Sequence, residues 1–333
     1  MLKPGPRNLI TDIPGLRVGC VEDEAVRTGV TVAICPEAWT AAVDVRGGGP
    51  AVRETDTLRP ENSFSKAHAV CFSGGSVFGL GAADGVAVAL SAREHGLKLS
   101  PGTPAIPIVP AACLHDLGNG GDKAWGLSPP YRELGMRAVA TASEDFPLGS
   151  FGAGRGAMAG IRKGGLGSAS IDLGDGLIVA ALVAANPVGT PYMPDGEAFW
   201  AWPYEIDGEF GGRRPGADMP PSVEPIPDDS KLAARLKAGA NTTLALVATT
   251  ADLSTAEAQR MAMMAHDGMA RAVRPAHTPF DGDVCFALAS GAKPLGADPM
   301  RGLLRAKIGA AAADCLARAI ARAVYEAAKP SAG

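Results

Sequence analysis

Aromatic residues make up only 5% of this 333-residue sequence, and neither charge sign dominates: 31 basic against 35 acidic residues leave a net charge of −4. No basic patch and no RNA-type aromatic motif stands out, so nucleic acid is not expected as a partner. None of the six cysteines (Cys20, Cys35, Cys71, Cys113, Cys285, Cys315) forms a Cys-x-x-Cys pair, which leaves a zinc knuckle or redox motif unsupported. Most of them sit in apolar runs, where a free thiol behaves as a small hydrophobe, and a reducing, cytoplasmic compartment is the expectation. The first residues carry no apolar stretch of signal-peptide length. The longest apolar strand candidate, Leu177 to Ala185, is far too short to cross a bilayer. No membrane association is expected.

Familiar site signatures are missing too. The glycine-dense stretch from Gly149 to Ser170 matches neither Gly-x-Gly-x-x-Gly nor a Walker pattern. Such glycines more often let layers approach closely or line a pocket with backbone. Gly74-Gly75-Ser76-Val77-Phe78 misses the nucleophile elbow, because Phe78 stands where glycine is required. The five histidines (His68, His95, His115, His266, His277) show no metal-ligand spacing. His95 and His266 read as surface or core positions on helices. Neither a metal nor a cofactor is expected.

What is there is 47% hydrophobic residue, enough for a large core in a chain of this length. The 43 glycines and 27 prolines are scattered, which excludes a collagen-like or low-complexity chain. Short strands are predicted at Val30 to Cys35 and Ala41 to Val45, followed by the break Arg46-Gly-Gly-Gly-Pro50. Gly75 to His95 reads as a buried helix stopped by Gly96. Ile106 to Pro110, Ala111 to Leu117 and Ala138 to Ala142 are apolar runs. Asp175-Gly176 turns the chain into a strand over Leu177 to Ala185. From Tyr204 to Ala240 the chain is Pro-, Gly- and Asp-rich, with a short helical stretch from Asp229 to Leu236. A loop this long is usually functional or mobile. Then the pattern becomes regular: a strand opening at Thr242, a capping box Ser254-Thr-Ala-Glu257 for a helix to about Ala272, and a strand over Val284 to Ala289. A helix capped by Asp298-Pro299 closes the series at about Ala328. That order reads as half of a layered α/β sandwich.

The seam at Asn241-Thr242 is the most informative point. Asn-Thr-Thr is an ordinary way to begin a strand. A threonine opening a buried strand also becomes a nucleophile if the bond before it is cut, since the new α-amine serves as its base. Polar residues at other strand ends supply matching parts. Asn186 reads as a turn cap or as an oxyanion donor. Lys163 reads as a solvated turn lysine or as a charge that stabilises the site. Asp281 and Asp283 read as an ordinary turn or as groups that orient the amine and hydroxyl.

These residues resemble the L-aminopeptidase/D-esterase family, which includes β-peptidyl aminopeptidases and nylon-oligomer hydrolases. The similarity runs from Asn8-Leu-Ile-Thr-Asp-Ile-Pro-Gly-Leu-Arg-Val-Gly19 through Asp44-Val-Arg-Gly-Gly-Gly-Pro50, Arg53-Glu-Thr-Asp56 and Ser73-Gly-Gly-Ser76 with Gly79. It continues in Lys163-Gly-Gly165, Asn186-Pro-Val-Gly189, Asn241-Thr-Thr243 and Asp281-Gly-Asp283. The resemblance implies a single domain with a four-layered α/β/β/α sandwich, shared with the ornithine acetyltransferases. It implies self-cleavage between Asn241 and Thr242 into an α part (1–241) and a β part (242–333). Thr242 matches the nucleophile, Asn186 the oxyanion asparagine, Lys163 the site lysine, and Asp281 and Asp283 the acidic or hydroxyl pair. His115 matches a pocket tyrosine of some members. Small peptide or amide substrates and a homo-tetramer or larger assembly are implied. The nucleophile here is threonine, whereas the aminopeptidase and β-peptide members carry serine. Two other functions remain open on sequence: an acyltransferase using the same nucleophile, and a binding protein that never matures.

Overall fold

The computed structural model describes residues 3–219, 224–233, 241–297 and 299–330. Eleven strands and four α-helices are found there. The strands are β1 (Arg17–Asp23), β2 (Thr28–Val45), β3 (Ala51–Arg53), β4 (Lys66–Ser73), β5 (Ala111–Cys113), β6 (Met158–Ala159), β7 (Arg162–Lys163), β8 (Gly165–Asp172), β9 (Ile178–Asn186), β10 (Thr242–Ala251) and β11 (Val284–Lys293). The helices are α1 (Ala82–Ser91), α2 (Tyr131–Ala140), α3 (Thr255–Ala272) and α4 (Met300–Ala328). Nine strands form one sheet in the order β3-β5-β4-β2-β11-β10-β9-β8, with β1 on β2, and β6 and β7 make a separate hairpin.

The long strand β2 turns this sheet into two layers. Its first half pairs with β1 and β4, its last residues with β11. The pairing with β4 slips between Ile34 and Trp39. Pro36 lies in that gap, where a residue without an N–H breaks no ladder bond, and the bulge lets the strand bend. The two predicted short strands are therefore one strand with a bend.

Alternation of side chains along the strands sorts the apolar residues into three cores. Val179, Val183, Val247 and Cys285 face α3 and α4. Leu182, Leu244, Leu246 and Phe286 face the opposite half-sheet and meet Phe72 and Ala112 there. Val30, Val32 and Cys71 face α1 and α2. Three cores separate four layers, and the fold is an α/β/β/α sandwich. Among the described residues no helix is long and apolar enough to cross a membrane.

The glycine-dense segment has a packing reason. A Cβ on Gly167 would lie 2.0 Å from the Ala319 carbonyl oxygen, so β8 presses against the backbone of α4. The predicted helix from Gly75 is shorter than expected. Ser76–Gly81 is a 3-10 turn, and α1 itself begins at Ala82. The run Ala138 to Ala142 belongs mostly to α2, which ends at Ala140. The predicted stretch from Asp229 to Leu236 begins as turns, and its last residues lie outside the described ones, as does Asp298. The capping box at Ser254 and Glu257 is formed.

Arg318 of α4 is fully buried and grips Glu209 with two N–H groups, while a third bonds the Ser170 carbonyl at 2.7 Å. Arg318→Met should destabilise the fold by about 3–5 kcal/mol, because Glu209 would keep a buried charge without its main partner. A denaturant titration measures this directly, and an unchanged midpoint would show that the pair contributes nothing.

Candidate active site

The register of β9 on β10 sets Asn186 directly opposite Thr242. Ala184 and Leu244, two residues along each strand, belong to the inter-sheet core. By the same alternation Asn186 and Thr242 point to that side, at the end of the core. Both are buried, at 1% and 4% exposure.

Asn241 bridges to Asp281, and its carbonyl oxygen accepts the Gly282 N–H at 3.0 Å. The Thr242 hydroxyl donates to that same carbonyl oxygen. The nucleophile candidate and a backbone donor thus converge on the bond that precedes Thr242. Space there is tight: a Cβ on Gly282 would lie 2.6 Å from Thr242 Oγ1.

The two aspartates hold the backbone around this point. Asp283 accepts the Thr243 N–H at 2.7 Å with one oxygen, and the His277 N–H and Nδ1 with the other, at 3.0 and 2.8 Å. Asp281 accepts from Val188 N at 3.0 Å and from both N and Oγ1 of Thr278 at 2.9 and 2.7 Å. Burial pushes the Asp281 carboxyl above its ordinary range, and the charge of Asp283 adds to that. Behind His277 stands His266, with ring centroids 4.8 Å apart. Burial lowers His266 to about 4, so it is neutral near pH 7.

The break Arg46-Gly-Gly-Gly-Pro50 embraces the same turn. Gly47 N–H donates to the Asp283 carbonyl at 3.1 Å and Gly49 N–H to that of Asp281 at 2.8 Å. The Ser73-Gly-Gly-Ser76 segment has a separate anchor. Buried Asp116 takes the Gly75 N–H at 2.7 Å and the Thr28 hydroxyl at 2.6 Å. Asp116 follows His115, so this anchor also fixes the loop that carries His115.

His115 is half-buried, and it reaches the site through its backbone: its carbonyl accepts from Asn186 Nδ2 at 3.2 Å. Lys163 lies on β7, opposite Met158, whose N–H donates to Asn186 Oδ1 at 2.9 Å. The hairpin therefore touches the site through its backbone, while the Lys163 side chain is exposed. Thr242, Asn186, Asp281 and Asp283 are brought together around one peptide bond.

Two residues of the site escaped the sequence reading. His277 carries no spacing signal. Lys231 sits in a Pro- and Asp-rich stretch where a solvated lysine is the ordinary expectation, yet it is 5% exposed. Its Nζ donates to Asn186 Oδ1 at 3.1 Å and to the Asn186 carbonyl at 3.3 Å. Burial lowers its pKa to about 7, opposed in part by the charge of Asp281. Among the described residues no cluster of three or more His, Cys, Asp or Glu side chains could hold a metal ion.

The sequence pattern of Peptidase family S58 matches residues 8–332. The chain belongs to peptidase family S58. An uncharacterized aminopeptidase of Mycobacterium tuberculosis is 41% identical over 342 residues, which covers 98% of this chain and 96% of the relative. A 6-aminohexanoate-oligomer endohydrolase of Kocuria sp. is 31% identical over 335 residues, covering 98% of this chain and 87% of that one. The solved β-aminopeptidase of a Burkholderia species superposes with a TM-score of 0.68 at 24% identity, over 97% of this chain and 88% of that one. The L-aminopeptidase D-Ala-esterase/amidase of Ochrobactrum anthropi, described as a variant of the Ntn hydrolase fold, gives 0.69 at 20% identity over 98% and 88%. This S58 chain is a peptide or amide hydrolase, and its sandwich has the fold of these two solved aminopeptidases.

Proposed function

We propose that this S58 hydrolase matures by cutting itself between Asn241 and Thr242, and that the freed Thr242 then hydrolyses a peptide or amide bond through an acyl-enzyme. One observation carries the reading: the buried Thr242 hydroxyl and the Gly282 N–H both engage the Asn241 carbonyl oxygen. In maturation the hydroxyl loses its proton and Oγ1 bonds to the Asn241 carbonyl carbon. The Gly282 N–H receives the oxyanion. The bond to the Thr242 nitrogen then breaks, and that nitrogen takes up the proton that the hydroxyl gave up. Water hydrolyses the resulting ester, leaving a carboxylate on Asn241 and an amine on Thr242.

Two features favour the cut. Among the described residues the Asn241 side-chain oxygen is buried without a donor. An unsatisfied group of that kind costs about 1–3 kcal/mol, which release of Asn241 relieves. In addition, Thr242 at 4% exposure cannot meet an external substrate while the bond is intact.

In turnover the new α-amine, with an ordinary pKa of about 7.7–8.0, takes the hydroxyl proton as Oγ1 attacks the substrate carbonyl. Asn186, opposite Thr242, is the side-chain donor for that oxyanion. The substrates named for the relatives extend to this chain as two candidates, the amino-terminal residue of a peptide and a linear amide oligomer. Intact-mass measurement with terminal sequencing is the test. Two fragments are expected, the second beginning at Thr242. Full-length chain alone, in material that hydrolyses amides at full rate, would overturn the proposal.

A further inference from the structure

We infer that Lys231 is a positioning residue of this centre, acting on the reaction through the carboxamide of Asn186. The inference rests on the reading of Thr242 as nucleophile and Asn186 as oxyanion donor. The Lys231 N–H donates to the Val188 carbonyl at 2.9 Å, two residues beyond Asn186. Just before it, the Asp229 carbonyl takes the Ile161 N–H at 3.0 Å and the Asp229 carboxylate takes the Thr190 hydroxyl at 2.7 Å. The segment is thus stitched both to the β6–β7 hairpin and to the chain that leaves β9.

From that fixed backbone the lysine side chain runs inward and ends on Asn186. Among the described residues its ammonium donates to the two oxygens of Asn186 and to no carboxylate. A buried ammonium is costly, and a charge-assisted hydrogen bond is stronger than a neutral one. Here it is spent on the orientation of an amide. With Lys231 Nζ and Met158 N–H both on Oδ1, at 3.1 and 2.9 Å, the amide cannot flip without placing its NH2 against two donors. Oδ1 is thereby pinned, and Nδ2 is turned the other way, onto the His115 carbonyl, on a residue that stands opposite Thr242 across the β9–β10 pair. A group whose catalytic value depends on aim gains from such a clamp, since a misplacement of about 1 Å costs on the order of 100-fold in rate.

The test is a double-mutant cycle between Lys231→Met and Asn186→Ala, read on matured enzyme with an aminoacyl p-nitroanilide that the wild type hydrolyses. Lys231→Met should lower kcat about 10- to 100-fold with KM changed less than about threefold. Because the lysine acts through the asparagine, the double variant should have a kcat within about threefold of Asn186→Ala alone. Effects that multiply, or a Lys231→Met enzyme with wild-type kcat, would overturn the inference. If Lys231→Met yields no split chain, the same kcat cycle is run with Lys231→Gln in its place, under the same criterion. A Thr242→Ala control separates the two ideas: if it still splits or hydrolyses, the nucleophile assignment has failed, whatever Lys231 does.

Discussion

Thr242→Ala is expected to give a single full-length band on a denaturing gel and to lose amide hydrolysis by a factor on the order of 10⁴ or more. The substitution removes the only atom proposed to bond to carbon in both stages, so maturation and turnover fail together. The fold should survive. The lost hydroxyl donates to the Asn241 carbonyl, which keeps its bond from Gly282 N–H, and the strand pairing of β10 does not involve the side chain. A stability loss of about 1 kcal/mol is the scale for one such hydrogen bond. Thermal melting of the variant near the wild-type temperature therefore separates lost chemistry from lost structure. Thr242→Ser keeps the hydroxyl and should still split. Splitting of the alanine variant at the native position would end the nucleophile assignment.

The parts of this architecture that were legible in the sequence are those set by local pattern. The strand at Thr242 is built on the apolar run Leu244 to Ala248, and all ten of its residues are buried in the sheet. The α3 start follows from Ser254 and Glu257, which cap each other within four residues. Asn186 was legible because it stands where an apolar strand meets proline. What was hidden depends on partners far along the chain. Gly135 argues against a helix by propensity, yet it lies in the middle of α2. A Cβ there would lie 2.1 Å from the Ala82 carbonyl oxygen, so the glycine serves the crossing of α1 and α2. The length of β2 was concealed by Pro36, which reads locally as a break and acts in the sheet as the bulge. Lys231 is the clearest case in the site. It meets Asn186 across 45 positions of sequence, from a short stretch read as helical inside a Pro-, Gly- and Asp-rich loop, and only the folded chain reveals that it is buried.

The acidic pair lies beside the bond before Thr242 and acts there through backbone contacts. Asp281 and Asp283 do stand at the bond before Thr242. Among the described residues, though, their carboxylates bond Val188, Thr278, Thr243 and His277, and none bonds the Thr242 hydroxyl. Their first effect is to fix the turn from which Gly282 donates. That makes Gly282 itself the residue through which the pair acts on the Asn241 carbonyl.

Gly282→Ala should accordingly block maturation almost as thoroughly as loss of the nucleophile. The added Cβ would lie 2.6 Å from Thr242 Oγ1 and 2.9 Å from the Gly49 carbonyl oxygen. Neither neighbour can easily yield. Gly49 is tied to this turn by its N–H on the Asp281 carbonyl at 2.8 Å, and Thr242 is held by its pairing with Asn186. The clash must therefore either push Oγ1 off the Asn241 carbonyl or draw the Gly282 N–H away from it. Overpacking of this kind costs about 1–3 kcal/mol of stability, which a chain of this size should tolerate. Loss of a single oxyanion donor costs about 10²–10³ in rate, and displacement of the nucleophile adds to that. A time course of splitting after synthesis should show Gly282→Ala persisting as full-length chain while the wild type separates into two. If the variant splits at the native rate, the Gly282 N–H is not the group that receives the developing charge, and the maturation chemistry must find its donor elsewhere.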